Sequence, residues 1–202
     1  MTKIKKIILT IIGFLFCGLA IALYLLSGFG SDPVTLFTDG LSFTFKVKVG
    51  IASLGFHFVI IVLAFIIDKS FIGIATFASL FIVGPSIDLF MTIFSPIVTA
   101  ESAIAIRLIF YLIAFFSLSF GIALYLAMNT GISASDMTPV MVSVKAKFQY
   151  RWCKVVYDIV LVITGTLLGG VFGWGTIFAA LFTGPAVQYL RDRVEKYSQL
   201  SN

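Results

Sequence analysis

"GIATFASLFIVGPSID" (residues 73–88) is written a second time a hundred positions later, as "GWGTIFAALFTGPAVQ" (173–188). Gly73, Thr76, Gly84 and Pro85 recur as Gly173, Thr176, Gly184 and Pro185. The correspondence spreads outward from this pair. "IALYL" stands at 21–25 and again at 122–126, and "GFGSDPVTLF" (28–37) answers to "GISASDMTPVM" (131–141). His57 in one apolar run matches Asp158 in another. The features keep one order in both halves, as a tandem duplication requires. The first repeat is read as 1–97, a linker as 98–103 and the second repeat as 104–202.

Composition fixes the solvent of these repeats. Of 202 residues 60% are apolar and only 11% charged, which leaves too little polar surface for a chain folded in water. Apolar runs near 7–27, 49–67, 71–94, 106–127, 152–170 and 174–190 are long enough, or nearly so, to cross about 30 Å of hydrocarbon. The expected class is an all-α integral membrane protein, built from a duplicated unit of three to four helical segments with short broken helices. The formal charge of +5 does not point to nucleic acid, because the Lys and Arg residues cluster at the ends of apolar runs, where they orient a chain in a lipid bilayer. Cys17 and Cys153 are too few for a disulfide framework, and no spacing suits a metal or a cofactor. The first 25 residues imitate a signal peptide, but the apolar run continues past Ala22 and its "IALYL" returns inside the chain, so this segment is expected to stay.

Two segments are short. Residues 32–45 and 133–145 carry Asp, Pro or Thr, and each either crosses as a broken helix or re-enters and returns to its own side. If both cross, the Lys and Arg residues divide 13 to 1 between the two sides; if both re-enter, 11 to 3. The first division obeys the positive-inside tendency better, and it predicts parallel repeats of four crossings each, related by an axis along the membrane normal. Three crossings each would make the repeats inverted. The termini are expected in the cytoplasm.

The breaks carry the most chemistry. Asp32 suits an N-cap and Pro33 the first helical position; Ser133 and Asp136 have the spacing of a capping box. Interrupted segments at matching places of two halves point to a transporter's binding site, where Asp32, Pro33, Ser133 and Asp136 would meet a small solute or ion. The alternative is that these carboxylates only cap helices. His57 and Asp158 lie inside spans, where an ionisable group is costly and faces a partner or a pathway; Lys154, one turn before Asp158, is a local partner for it. Gly84–Pro85 and Gly184–Pro185 are read as a hinge or as packing contacts, since Pro removes a ladder donor and Gly admits a neighbouring backbone. Thr76 and Thr176 are placed as caps of the same helices. No nucleophile is spaced with a base, so an enzyme is not expected.

Gly30-Ser31-Asp32-Pro33, the Gly-x-x-Thr…Gly-Pro-x-x-Asp stretch at 73–88 and its second copy at 173–185 resemble the YczE/YyaS family of bacterial membrane proteins, itself distantly similar to the YitT family. The resemblance covers nearly the whole chain and takes in the acids at Asp136 and Asp158. "SASDMTP" departs from the family's more usual Gly-Pro-x-Asp-Gly. What the resemblance implies is a bacterial cytoplasmic membrane; it brings no settled activity. The residues themselves leave two functions open: a small transporter-like protein with a polar site at the paired breaks, or a membrane-embedded partner or regulatory subunit. A homodimer is compatible with either.

Overall fold

Chain punctuation repeats along with the motifs. The computed structural model describes residues 2–99, 101–148 and 150–200, and their side chains except at 150, 151 and 197–200. Helix α1 (Lys3–Ser27) stops where Gly28 turns to φ 67°, its N–H bonded to Leu25 O. Helix α5 (Ile104–Met128) stops the same way at Asn129, φ 51°, on Leu126 O. Gly and Asn are the residues that best tolerate this left-handed ending. Two 13-residue helices follow these stops: α2 (Pro33–Phe45), ending at left-handed Lys46, and α6 (Ala134–Ala146), ending at left-handed Lys147. The first half closes with α3 (Val49–Asp68), a 3-10 turn (Lys69–Phe71) and α4 (Ile74–Phe94); the second closes with α7 (Tyr150–Leu167) and α8 (Trp174–Leu200). Every helix of the second half begins a hundred or a hundred and one residues after its counterpart.

α1, α3 with its 3-10 turn, α4 and α5 are long and apolar enough to cross a membrane. Phe58, Phe65, Ile66, Phe81 and Phe116 stand more than half exposed on the outside of the bundle. Such a surface is a liability in water and is matched by hydrocarbon. The centre is the crossing of α1 and α5, where a Cβ on Gly13 would lie 2.8 Å from Gly121 O and one on Gly121 would lie 2.6 Å from Gly13 O. Small residues let the backbones come this close, which is how helices gain packing energy in lipid. Phe14 stacks on Tyr125 and Tyr24 tilts against Tyr111 beside that crossing.

The direction of this crossing corrects one expectation. Arg107 Nε, near the start of α5, donates to Ser27 O at the end of α1 over 2.7 Å. At the other end the hydroxyls of Thr10 and Thr130 are 2.9 Å apart. α1 and α5 are therefore antiparallel, and the two halves are inverted rather than parallel. The reason is that the short helices do not cross. After α1, the chain dips inward and α2 climbs back: Thr44 Oγ1 donates to Leu168 O and Val171 N to Asp39 Oδ2, at the turn leading into α8. α8 starts on the same face, with Gly175 N donating to Phe29 O just beyond α1. α6 likewise returns to the face of the N-terminus, where Lys145 pairs with Asp68 at the end of α3 over 2.7 Å. Thirteen residues of helix reach only about 20 Å. Lys46, Lys48 and Arg107 thus share the far face, which is the 11-to-3 division of charge.

Candidate functional site

Two helix N-termini enter the interior from opposite faces. Asp32 caps α2, its Oδ2 accepting from Val34 N and Thr35 N at 3.2 and 3.3 Å and its Oδ1 from the Thr35 hydroxyl. Pro33 has no N–H to satisfy. Its counterpart Ala134 does have one, and donates to Ser79 Oγ of α4 at 3.1 Å. At α6 the capping box expected of Ser133 and Asp136 is not formed. Ser133 Oγ instead donates to Asp136 Oδ2 at 3.1 Å, and Tyr125 OH, from α5, donates to the same oxygen at 2.6 Å. Asp32 with Thr35 and Ser133 with Asp136 are the same pair of positions with acid and hydroxyl exchanged.

The Gly-x-x-Thr motifs hold these loops, each gripping the other half. Thr76 Oγ1 accepts from Gly73 N and donates to Ile132 O at 2.7 Å, while Ala75 N donates to Thr130 O. In mirror fashion Thr176 Oγ1 accepts from Ser31 N at 3.2 Å and Gly175 N donates to Phe29 O. A Cβ on Gly73 would lie 3.3 Å from Gly131 Cα, and a Cβ on Gly30 would run into Thr176. The glycines are needed because loop and helix start meet backbone to backbone. So the threonines do more than cap α4 and α8: they fix the entry of each short helix at a set depth.

Other side chains close around this centre. His57 of α3 is buried, and its Nε2 lies 2.8 Å from Ser135 Oγ of α6. Its Nδ1 is buried without a partner. Asp158 of α7 has the local partner expected from the sequence: Lys154 Nζ is 2.7 Å from its Oδ1, both side chains being about a quarter exposed. The fields of Asp32 and Asp136 both reach Cys17 in the middle of α1, and both reach Asp158. Asp32, Asp136, His57, Lys154 and Asp158 therefore form one polar centre inside an apolar bundle. Gly84 and Pro85 lie outside it. A Cβ on Gly84 would sit 2.6 Å from Gly50 O of α3, whereas Gly184 faces open space; Pro85 and Pro185 are exposed. A shallow depression lined by Ser42, Phe43, Lys46, Leu168 and Gly169 also lies away from the carboxylates.

Known proteins place the chain without giving it an activity. A model described as a family of unknown function (DUF6198) matches residues 4–192. The chain belongs to the DUF6198 family. An uncharacterized protein of Haemophilus influenzae (strain ATCC 51907 / DSM 11121 / KW20 / Rd) is 28% identical to it over 182 residues, which is 89% of this chain and 80% of that protein. No solved structure matches the chain. Within this DUF6198 chain, the residues missed by sequence reasoning are Tyr24, Tyr125, Ser135 and Asp39. A signal for two of them was present: Tyr24 and Tyr125 are the tyrosines of the repeated "IALYL".

Proposed function

We propose that this DUF6198 protein is a small transporter-like protein of the bacterial cytoplasmic membrane, with its polar site at the N-termini of α2 and α6. The observation that carries the reading is the pair of re-entrant helix N-termini, each with a carboxylate, brought to mid-depth from opposite faces beside Cys17. Half-helices that end at the membrane's middle in inverted repeats are a common way to build a solute or ion site accessible in turn from either side. Carboxylates there are costly to keep and favour a cation or a proton as cargo. The resemblance to the YczE/YyaS family supports the bacterial location. Eleven of the fourteen Lys and Arg residues belong to the face of the N-terminus, which supports cytoplasmic termini.

A second reading has its own observation. Asp32, Asp136 and Asp158 all have internal partners, as they would in a partner or regulatory subunit whose polar groups only hold helices together. Flux into proteoliposomes decides between them. Under the transporter reading Asp32→Asn and Asp136→Asn each abolish flux while the protein still inserts and purifies as a monodisperse species. Flux that survives both substitutions refutes it, and a membrane protein that copurifies with wild type then supports the subunit.

A further inference from the structure

The two halves of the polar centre correspond position by position: Tyr24 to Tyr125, Asp32 to Ser133 and Thr35 to Asp136. They are not filled alike. Tyr125 OH is spent on Asp136 at 2.6 Å. Tyr24 is fully buried, and its hydroxyl has no hydrogen-bond partner. Tyr111 lies alongside, ring centroids 5.1 Å apart, but its hydroxyl donates to Gly175 O and the two phenols approach without hydrogen-bond geometry. The Tyr24 hydroxyl stands in the field of Asp32, as does that of Tyr111. A hydroxyl withdrawn from water and left unpaired is costly, so it marks a place where something else completes the shell.

The local charge says what that something is. Three carboxylates, Asp32, Asp136 and Asp158, share the centre with one ammonium, Lys154. The Asp32 carboxylate accepts from Val34 N, Thr35 N and the Thr35 hydroxyl. A divalent ion asks for six to eight oxygens and more than one acid, and among the described residues no group of three His, Cys, Asp or Glu could hold a metal. One carboxylate with neutral hydroxyls suits a single positive charge.

We infer that the Asp32 half of the centre binds a small monovalent cation, with the Asp32 carboxylate and the hydroxyls of Tyr24 and Thr35 as its oxygen ligands. The inference rests on the reading of the centre as a binding site, and it makes the two halves unequal: Asp136 is closed internally by Tyr125 and Ser133, while Asp32 takes the ion.

The test is the melting temperature of the whole protein in mild detergent, titrated with LiCl, NaCl or KCl against choline chloride at constant ionic strength and pH. At least one alkali cation should raise the melting temperature with a saturable midpoint. Tyr24→Phe should move that midpoint by about tenfold, with the melting temperature in choline unchanged or higher, since an orphan hydroxyl is gone. Asp32→Asn should remove the response. Tyr125→Phe should lower the melting temperature in choline and leave the midpoint where it was. The inference is overturned if no alkali cation differs from choline, if Tyr24→Phe titrates like wild type, or if only pH moves the melting temperature. Flux that depends on Asp32 without an alkali response sinks the cation and leaves the transporter; a Tyr24-dependent response without flux does the reverse.

Discussion

Joining Thr10 to Thr130 by a disulfide tests the inverted architecture directly. Their hydroxyl oxygens are 2.9 Å apart in the structure. A cysteine places its sulfur where threonine has Oγ1, so a small rotation brings the pair to the roughly 2.05 Å of an S–S bond. Parallel repeats would put Tyr111, the counterpart of Thr10, at the depth of Thr10, and would leave Thr130 about 28 Å further along α5. No side-chain motion bridges that gap. In a Cys17→Ala, Cys153→Ser background, Thr10→Cys with Thr130→Cys should cross-link under mild oxidation of native membranes, read as a reducible gel shift and a linked peptide in mass spectrometry. The bond would close most of the chain into one loop, for which the chain-entropy account gives about 4–5 kcal/mol as an upper bound. A rise in melting temperature that dithiothreitol reverses should accompany it. The reasoning fails if Thr10→Cys cross-links to Tyr111→Cys and not to Thr130→Cys.

Two further outcomes follow from the same geometry. Gly84→Ala should destabilise by about 1–3 kcal/mol, because its methyl group would overlap Gly50 O at 2.6 Å, while Gly184→Ala should stay within about 0.5 kcal/mol of wild type, since nothing lies within 4 Å of it; equal losses by detergent denaturation would show that both sites are packed alike. Lys48→Cys should react with an impermeant maleimide on intact cells, and Lys69→Cys only after permeabilisation; labelling in the opposite order would restore the short helices as full crossings.

The recurring helix order was legible because it is written in residues that backbone geometry demands, such as Gly73 and Gly173 and the left-handed stops near 28 and 129. Helix positions followed closely from the apolar runs, with α2 beginning at Pro33 as its cap required. The orientation of the halves was not legible. A 13-to-1 and an 11-to-3 distribution both satisfy the positive-inside tendency, so charge counting had little power to separate them. Helix length was the better guide: 13 residues cannot cross 30 Å, and the breaks before Asp32 and Ser133 were evidence of a dip. Pairing across the centre was hidden for another reason. That Tyr125 meets Asp136, and Thr76 meets Ile132, depends on two inverted units threading their loops into each other, which no local pattern encodes.

Where the halves differ is more informative than where they agree. In the first half Gly50 lets α3 lie against α4, and Asp88 Oδ1 accepts from Gly50 N at 3.0 Å to fix the contact. Arg151 and Gln188 occupy those two positions in the second half. Among the described residues α7 packs on α2 and α6. On α7 the pair Lys154 and Asp158 stands where the first half has His57. The elements kept alike, the Gly-x-x-Thr clamps and the left-handed helix stops, are those that build the inverted scaffold. Among the positions that differ, Asp32 against Ser133, Thr35 against Asp136 and His57 against Asp158 belong to the polar centre. The two halves therefore bring different acids and hydroxyls to one centre, and the chemistry of this protein is to be sought in that asymmetry.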